Sequence, residues 1–186
     1  MIIHTRWTMA VKKKPTKKKT AKKQVKKPAK KAVNKKVHWL PKGHQAVVPY
    51  LLVEDGDKML AFLQNAFGAK IDHVTRDRGE FRHGSLDVFG CKLMMGQAFG
   101  AWKAMPCALY VYVKDCDAAH RAAIAGGAVE IMPPMDMFYG DRHGGVLDPC
   151  GNQWWLATHI EDVSNAELER RAEIEMKRRA QQQQQS

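Results

Sequence analysis

The sequence predicts an α+β fold made of two tandem βαβββ modules, with a disordered basic tail before them and a C-terminal helix after them. Two observations support this prediction. The segment at residues 50–57 (YLLVEDGD) recurs 60 positions later, at residues 110–117 (YVYVKDCD). Each copy passes from alternating apolar residues into a helical pattern and then into further short strand-like runs. We therefore place the modules at about residues 46–97 and 107–160, within one domain at residues 37–163.

The first strand of each module leads through an Asp-x-Asp turn into a helix. Asp55 and Asp115 can accept backbone N–H bonds at the helix entrance, where the positive end of the helix dipole favours a carboxylate. Gly68 and Gly127 suit the left-handed conformation in which helices commonly end. The sequence therefore predicts where both helices begin and end.

Three strand-like runs follow each helix. They are residues 71–75, 81–89 and 92–96 in the first module and residues 129–132, 144–147 and 153–158 in the second. Because side chains alternate between the two faces of a strand, Tyr50 should face away from the first helix, with Leu51 and Val53 packed beneath that helix. By the repeat, Tyr110 and Tyr112 should also face away from their helix.

Several short motifs resemble those of the vicinal oxygen chelate superfamily, which includes glyoxalase I, bleomycin-resistance proteins and extradiol dioxygenases, and within it the PhnB-like branch. The motifs are residues 40–43 (LPKG), 66–69 (AFGA), 83–86 (HGSL), 137–142 (MFYGDR), 148–154 (DPCGNQW) and 158–163 (THIEDV). The resemblance implies that the two four-stranded units form one cupped mixed sheet, usually within a homodimer. It also implies a ligand pocket on the concave face, here called the cup.

The positions that bind a metal in metal-dependent members of the superfamily carry apolar side chains in this sequence. The resemblance places three ligands at Val48, Ala108 and Trp155, and a fourth near Met94 or Met95. A catalytic metal needs about three protein ligands, and none of these residues can bind a divalent cation there. We therefore expect no metal, no other cofactor and no catalytic residue, which argues against glyoxalase or dioxygenase chemistry.

Six residues are candidates for lining the cup: Tyr50, His83, Tyr110, Tyr112, Arg142 and Trp155. The aromatic side chains can stack on a planar ligand, although buried aromatic residues also fill cores. His83 can serve as a hydrogen-bonding group or a general base, or its ring can simply be satisfied by its neighbours. Arg142 can reach a ligand, or it can pair with Asp141 to fix a loop or a dimer contact.

The basic charge of the chain is concentrated in a tail at residues 1–36. The whole chain carries 31 Lys and Arg, 19 Asp and Glu and a net charge of +12, but the tail holds fifteen of the basic residues and no acidic one. We expect the tail lysines to contact DNA or RNA: Lys12, Lys13, Lys14, Lys17, Lys18, Lys19, Lys22, Lys23, Lys26, Lys27, Lys30, Lys31, Lys35 and Lys36. Their Lys/Ala/Pro context resembles linker-histone tails and implies disorder and sequence-independent contact. A solubilising extension and a targeting segment are the alternatives, and Met9 is an alternative start of translation.

The remaining composition favours a cytoplasmic protein, with nucleoid association through the tail. No apolar run reaches the ~18 residues needed to span a bilayer. The four cysteines show no CxxC spacing, which indicates reduced thiols. Residues 164–186 are expected to form a helix to about residue 180 and then a Gln-rich end.

These features support one leading hypothesis and two alternatives. The leading hypothesis is a homodimeric, metal-free and non-catalytic PhnB-like protein that binds a small apolar or aromatic molecule in the cup and nucleic acid through the tail. The first alternative is a lyase-type or transferase-type enzyme of the glyoxalase superfamily, with or without a metal, in which His83 or Arg142 acts on the substrate. The second is a nucleoid-associated structural protein whose cup holds no ligand.

Overall fold

The computed structural model describes residues 37–184 and confirms the α+β fold with tandem βαβββ modules. The elements are β1 (Tyr50–Val53), α1 (Gly56–Phe67), β2 (Lys70–Asp77), β3 (Glu80–Val88), β4 (Cys91–Gln97), β5 (Ala108–Tyr112), α2 (Cys116–Ala125), β6 (Val129–Asp136), β7 (Asp141–Leu147), β8 (Gln153–His159) and α3 (Asn165–Gln183). Within this range, every helix is too short or too polar to span a bilayer. The Lys-rich tail, and every prediction made for it, lies outside the described residues.

Each module forms its own mixed sheet of four strands. The strand order is β1-β4-β3-β2 in the first sheet and β5-β8-β7-β6 in the second. Within residues 37–184, the strands therefore form two sheets rather than the one continuous sheet that the family resemblance implies. The two sheets stay separate at β1 because the segment between the modules pairs with the outer edge of this strand. There the Met105 N–H donates to the Leu52 carbonyl at 3.2 Å. An edge that is already occupied cannot pair there with a strand of the second module.

The two helices pack against each other, and each packs against the sheet of its own module, which joins the modules into one hydrophobic core. They approach closely at Gly126 of the α2 end, where an added Cβ would lie 3.0 Å from the Cβ of Ala66 in α1. Phe67 packs against Trp154 of β8, with ring centroids 4.9 Å apart. Buried members of the core include Leu51, Met59, Phe62, Leu63, Met95, Trp154 and Leu156. Because the helices cover the inner faces, the other face of each sheet, here called its open face, points away from the core.

The predicted helix ends are confirmed. Asp55 and Asp115 each accept a backbone N–H bond of 2.9 Å from the first turn of the following helix. Gly68 and Gly127 adopt positive φ angles of 62° and 102°, where a side chain would be strained. The C-terminal helix runs a few residues farther than expected, to Gln183.

Candidate functional site

The alternation of faces along the first strand of each module is as predicted. Leu51 and Val53 are each 1% exposed beneath α1, whereas Tyr50 is 51% exposed on the open face of the first sheet. Tyr110 and Tyr112 are likewise half-exposed on the open face of the second sheet. The parallel pairing of β5 with β8 sets Trp155 beside Tyr110, with Trp154 buried on the inner face. The open face of the second sheet therefore gathers three of the six candidate residues: Tyr110, Tyr112 and Trp155.

A buried carboxylate lies among these aromatic rings. Asp141, at the start of β7, is 3% exposed. The hydroxyl groups of Tyr110 and Tyr112 donate to its Oδ2 atom at 3.0 and 2.9 Å. The Nδ1 atom of His159 lies 2.9 Å from its Oδ1 atom, and the other ring nitrogen of His159 lies 3.0 Å from Asp162. Asp141 thus receives the partners that a buried carboxylate requires.

The protonation states of this network follow from its contacts. Burial by itself raises the pKa of Asp141, but the hydrogen bonds from the histidine and the two tyrosines together outweigh it, so the pKa lies below its ordinary value. The hydrogen bonds to Asp162 and Asp141 raise the pKa of His159. Burial raises the pKa of Tyr110, and the bond to the carboxylate raises that of Tyr112. At neutral pH the network therefore contains an ionised carboxylate and two protonated phenols.

His143 adds an imidazole to the same face. Its ring lies between the rings of Tyr110 and Trp155, at centroid distances of 5.0 and 5.2 Å, and the residue is 8% exposed. Its Nδ1 atom lies 2.9 Å from the hydroxyl oxygen of Tyr139. Its Nε2 atom is buried and has no hydrogen-bond partner within residues 37–184. Burial lowers the pKa of His143, so the ring is neutral near pH 7.

Sequence reasoning missed His143 as a site residue, although the repeat contains a signal for it. The tripeptide Arg-His-Gly occurs at residues 82–84 and again at residues 142–144, with the same spacing of 60 that relates Tyr50 to Tyr110. The structure places a tyrosine against a histidine in both modules, with centroids 5.8 Å apart for the pair at Tyr50. The duplication therefore carries one Tyr–His pair on each open face.

The strand register shows which of Met94 and Met95 matches the fourth ligand position that the family resemblance implies. Tyr50 is paired with Met94 across β1 and β4, as Tyr110 is paired with Trp155 across β5 and β8. Met94 is therefore the counterpart of Trp155, whereas Met95 is fully buried on the inner face. The four positions at which the resemblance implies metal ligands, Val48, Met94, Ala108 and Trp155, carry no oxygen or imidazole donor for a metal ion. The described part of the chain also brings together no group of three or more His, Cys, Asp or Glu side chains suited to a metal.

The other candidate residues lie elsewhere. Tyr50 and His83 are together on the open face of the first sheet. Tyr50 lines a cavity of about 360 Å³ there with Phe99 and Trp102. Arg142 points from β7 to the helix side of the second sheet. There its guanidinium pairs with Asp117 of α2 at 2.5 and 2.8 Å and with Asp136 at 2.8 Å. The structure thus separates Arg142 from the aromatic side chains of the open face.

Three of the four thiols, those of Cys107, Cys116 and Cys150, are not arranged as nucleophiles. Cys116 is buried, and its Sγ atom lies 3.2 Å from the Leu156 carbonyl oxygen. Burial raises the pKa of Cys150 to about 11 and also raises the pKa values of Cys107 and Cys116. A raised thiol pKa suppresses the thiolate, which is the reactive form.

Comparison with known proteins relates this geometry to a family. Residues 43–156 match the model of the Glyoxalase/Bleomycin resistance protein/Dioxygenase superfamily. An uncharacterized protein of Mycobacterium bovis is 29% identical over 136 residues, which are 67% of this chain and 90% of the relative. An uncharacterized protein of Mycobacterium tuberculosis strain H37Rv has the same identity over 80% of its length.

Solved structures share the fold. TioX from Micromonospora sp. ML1 is 26% identical, with a TM-score of 0.55 over 61% of this chain and 98% of that one. A superfamily member from Sphaerobacter thermophilus is 22% identical, with a TM-score of 0.51 over 61% of this chain and 98% of that one. Since the family model spans more than half of the sequence, the chain belongs to the glyoxalase, bleomycin resistance protein and dioxygenase superfamily.

Proposed function

We propose that this chain is a PhnB-like member of the superfamily that binds a small, partly aromatic molecule on the open face of the second sheet, without a metal and without catalysis. Two features of this face support the proposal. The positions at which the family resemblance implies metal ligands in this module, Ala108 and Trp155, carry apolar side chains. The rings of Tyr110 and Trp155 lie side by side on this face, each packed against His143. Aromatic rings of this kind stack on planar molecules.

The absence of catalysis is inferred from the available groups. A metal-dependent reaction of this superfamily needs about three protein ligands, and the residues at the four ligand positions supply none. The thiols of Cys107, Cys116 and Cys150 have raised pKa values. The guanidinium of Arg142 is already paired with two carboxylates on the far side of the sheet.

A thermal-shift screen with planar aromatic molecules tests the binding. A compound present at 100 times its Kd stabilises the folded state by about 2.7 kcal/mol, which corresponds to a rise in Tm of roughly 5 to 10 °C for a domain of this size. Trp155→Leu should abolish the rise, because it removes the stacking surface. The matched control is Arg142→Gln, which alters the inner face and should keep it. Equal shifts in wild type and Trp155→Leu would place binding elsewhere.

Elemental analysis tests the metal-free part of the proposal. Purified protein incubated with Zn²⁺, Ni²⁺, Mn²⁺ and Fe²⁺ and then desalted should retain only substoichiometric metal, because its ligand positions carry apolar side chains. One metal ion per chain that stabilises the fold would refute this part.

We also propose that the protein is a homodimer in which the open face of the second sheet meets the open face of the first sheet of a second copy. Both faces carry half-exposed rings, at Tyr50 and at Tyr110 and Tyr112, which a dimer would cover. Chains with Tyr50→Ala or Trp155→Ala should each lose binding, while their mixed dimer should recover one intact site. A monomer in sedimentation equilibrium would refute the dimer.

For the tail we propose sequence-independent contact with nucleic acid, supported by its composition. Fifteen basic residues within 36 positions set a ceiling of about 13 on the slope of log affinity against log salt. The full chain should therefore be retained on DNA at low salt and released steeply as salt rises. A chain of the same length with all fourteen tail lysines changed to glutamine should lose that retention. Unchanged retention would exclude the tail as the contact.

A further inference from the structure

A cavity of about 440 Å³ lies between the first module and β5, and its volume is in the range of small-molecule sites. Its walls come from the segment before β1, from the turn between β3 and β4, and from β5. The apolar residues of its lining are Val47, Pro49, Val88, Phe89, Leu93, Leu109, Val111 and Trp154. Tyr110 and Tyr112 also line it, whereas His143 and Trp155 do not, so it differs from the stacking surface at Trp155.

Apart from the Cys91 thiol, the polar side chains of this wall already have partners. The Gln45 amide bonds to the backbone N–H and carbonyl of Lys92, at 3.1 and 2.6 Å. The ammonium group of Lys92 pairs with Asp72 at 2.8 Å and with Asp87 at 3.5 Å. The tyrosine hydroxyl groups and the indole N–H of the wall donate to buried carboxylates. The wall therefore presents no unpaired charged side chain, which favours a neutral ligand.

The polar groups that remain are on the backbone of β5. The Val113 N–H donates to the Ala157 carbonyl of β8 at 2.8 Å, so the odd-numbered residues of this strand bond to β8. Backbone groups alternate in direction along a strand, so those of Tyr110 and Tyr112 point to the side opposite β8. That side is a free edge within residues 37–184, because β5 is the terminal strand of its sheet. Residues from both faces of β5 line the cavity, which therefore lies around this edge.

We propose that this cavity binds a neutral peptide-like molecule, namely an acylated amino acid amide with an apolar side chain, which pairs with β5 as a short antiparallel strand. Placed opposite Val111, its acyl carbonyl accepts the Tyr112 N–H and its amide N–H donates to the Tyr110 carbonyl. Its side chain then lies on the same face as Val111, where Leu109 and Trp154 complete an apolar wall. This site goes beyond the proposed function, because it uses the edge of β5 rather than the surface at Trp155.

The turn between β3 and β4 gives independent support. Phe89 has a φ angle of 53°, a left-handed conformation that is unfavourable for a bulky side chain. The turn between β2 and β3 has the same pair of positive φ angles, at Arg78 and Gly79. Asn is favoured at the first position of such a turn. The ring of Phe89, packed on Phe67 with centroids 5.2 Å apart, therefore provides a wall of the cavity although the turn disfavours it.

Two isomeric probes test the pairing by calorimetric titration of the full-length protein. Both derive from N-acetylphenylalanine N-methylamide, and in each an additional methyl group replaces one N–H. The N,N-dimethylamide lacks the N–H that donates to Tyr110, so it should bind at least about fivefold more weakly than the parent. The N-methylphenylalanine isomer lacks only the N–H that points away from β5, so its Kd should stay close to that of the parent. Equal affinities of the two isomers, the reverse order, or no binding of the parent would overturn the proposal.

Substitution in the turn tests the location. Phe89→Asn removes an apolar wall but suits the left-handed backbone, so it should weaken binding of the parent probe while the fold is retained. The matched control is Arg78→Asn, at the same position of the other turn, which should keep the affinity because Arg78 does not line the cavity. Phe89→Asn should also keep the thermal shift by planar aromatic molecules, so the two proposals can fail separately. Unchanged affinity of Phe89→Asn for the parent probe would refute this location.

The thiol of Cys91 reports occupancy without a variant. It is free and exposed, and it lines the cavity. Saturation with the parent probe should slow alkylation of Cys91 by iodoacetamide several-fold, as measured by mass spectrometry of the digested protein. Cys150, which does not line the cavity, is the internal reference. An unchanged rate at Cys91 under saturation would place the probe elsewhere and overturn the proposal.

Discussion

Replacing Asp148 with alanine should be among the most destabilising single changes in this domain, although the residue lies in a turn. Asp148 is 3% exposed at the end of β7, in the Asp-Pro-Cys-Gly-Asn turn that leads into β8. Its Oδ1 atom accepts the backbone N–H groups of Cys150 and Asn152 at 2.8 and 2.9 Å. Its Oδ2 atom accepts the Asn152 amide and the Trp154 indole N–H, each at 2.9 Å. One carboxylate therefore fixes both the turn and the first residues of β8.

The expected size of the effect follows from the donors left behind. Asn152 and Trp154 are each 1% exposed, so in Asp148→Ala their side-chain donors lose their acceptor where water cannot replace it. A buried donor left unpaired costs about 1 to 3 kcal/mol, and such groups that share one site do not add fully. The backbone N–H of Cys150 lies in a partly exposed turn and can bind water, whereas that of Asn152 is buried. We therefore expect a loss of about 3 to 4 kcal/mol, or roughly 10 °C in Tm.

Urea unfolding of the full-length protein measures this loss, with Asp87→Ala as the control. Asp87 occupies the matching turn of the first module, but it accepts one backbone N–H, from Gly90 at 3.0 Å, and lies 3.5 Å from Lys92 near the surface. Its removal should cost about 1 kcal/mol or less. The m-value should stay constant in both variants, so that the midpoints report stability. Similar losses for Asp148→Ala and Asp87→Ala would refute the role given to the buried network.

Three further predictions concern the open and inner faces of the second sheet. Because the pKa of Asp141 in the folded state is lowered from 3.8, the ionised carboxylate stabilises the fold at neutral pH, and this stabilisation is lost as the pH falls below about 4. Urea unfolding at decreasing pH should therefore show a narrowing difference in stability between wild type and Asp141→Asn. A constant difference would contradict this. Gly145→Ala places a Cβ 2.5 Å from the Trp155 ring, so it should displace the indole, shift its fluorescence and weaken binding of aromatic probes, whereas unchanged fluorescence would argue against that contact. Arg142→Gln should lower Tm by removing the pairs with α2 and β6 while leaving probe affinity unchanged, and a loss of affinity would place Arg142 in the site.

The fold could be predicted from the sequence because its main signal is a repeat of local patterns. The alternation that buries Leu51 and Val53 and the Asp caps at Asp55 and Asp115 depend on residues close in the chain. The division into two sheets depends instead on what occupies the edge of β1. That is decided by Met105 in an irregular segment, for which strand periodicity gives no information.

The site was predictable only in part, for a related reason. The tyrosines and Trp155 follow from strand alternation, but the partners of Asp141 come from β5 and β8, and their meeting depends on the register of three strands. Arg142 was a reasonable candidate by its charge, yet its place on β7 directs it to the inner face, opposite to Asp141. The side chains of neighbouring residues on one strand point to opposite faces of the sheet. Charged residues that are adjacent in sequence, such as Asp141 and Arg142, therefore need not lie together in the structure.

The two Tyr–His pairs of the duplication are not equivalent, and the difference decides which face can recognise a polar group. The counterpart of Asp141 in the first module is Phe81, and the counterpart of Tyr112 is Leu52, both 60 positions earlier. Phe81 is 3% exposed and turns under the sheet, where its ring would lie 2.0 Å from a Cβ added at Gly56. The pair at Tyr50 therefore has no carboxylate at this position to orient the phenol. Within residues 37–184, only the second module combines a carboxylate that accepts both tyrosine hydroxyl groups with a buried histidine nitrogen on the same face that has no hydrogen-bond partner. Polar recognition therefore belongs to the second sheet, and the first sheet can contribute apolar contact.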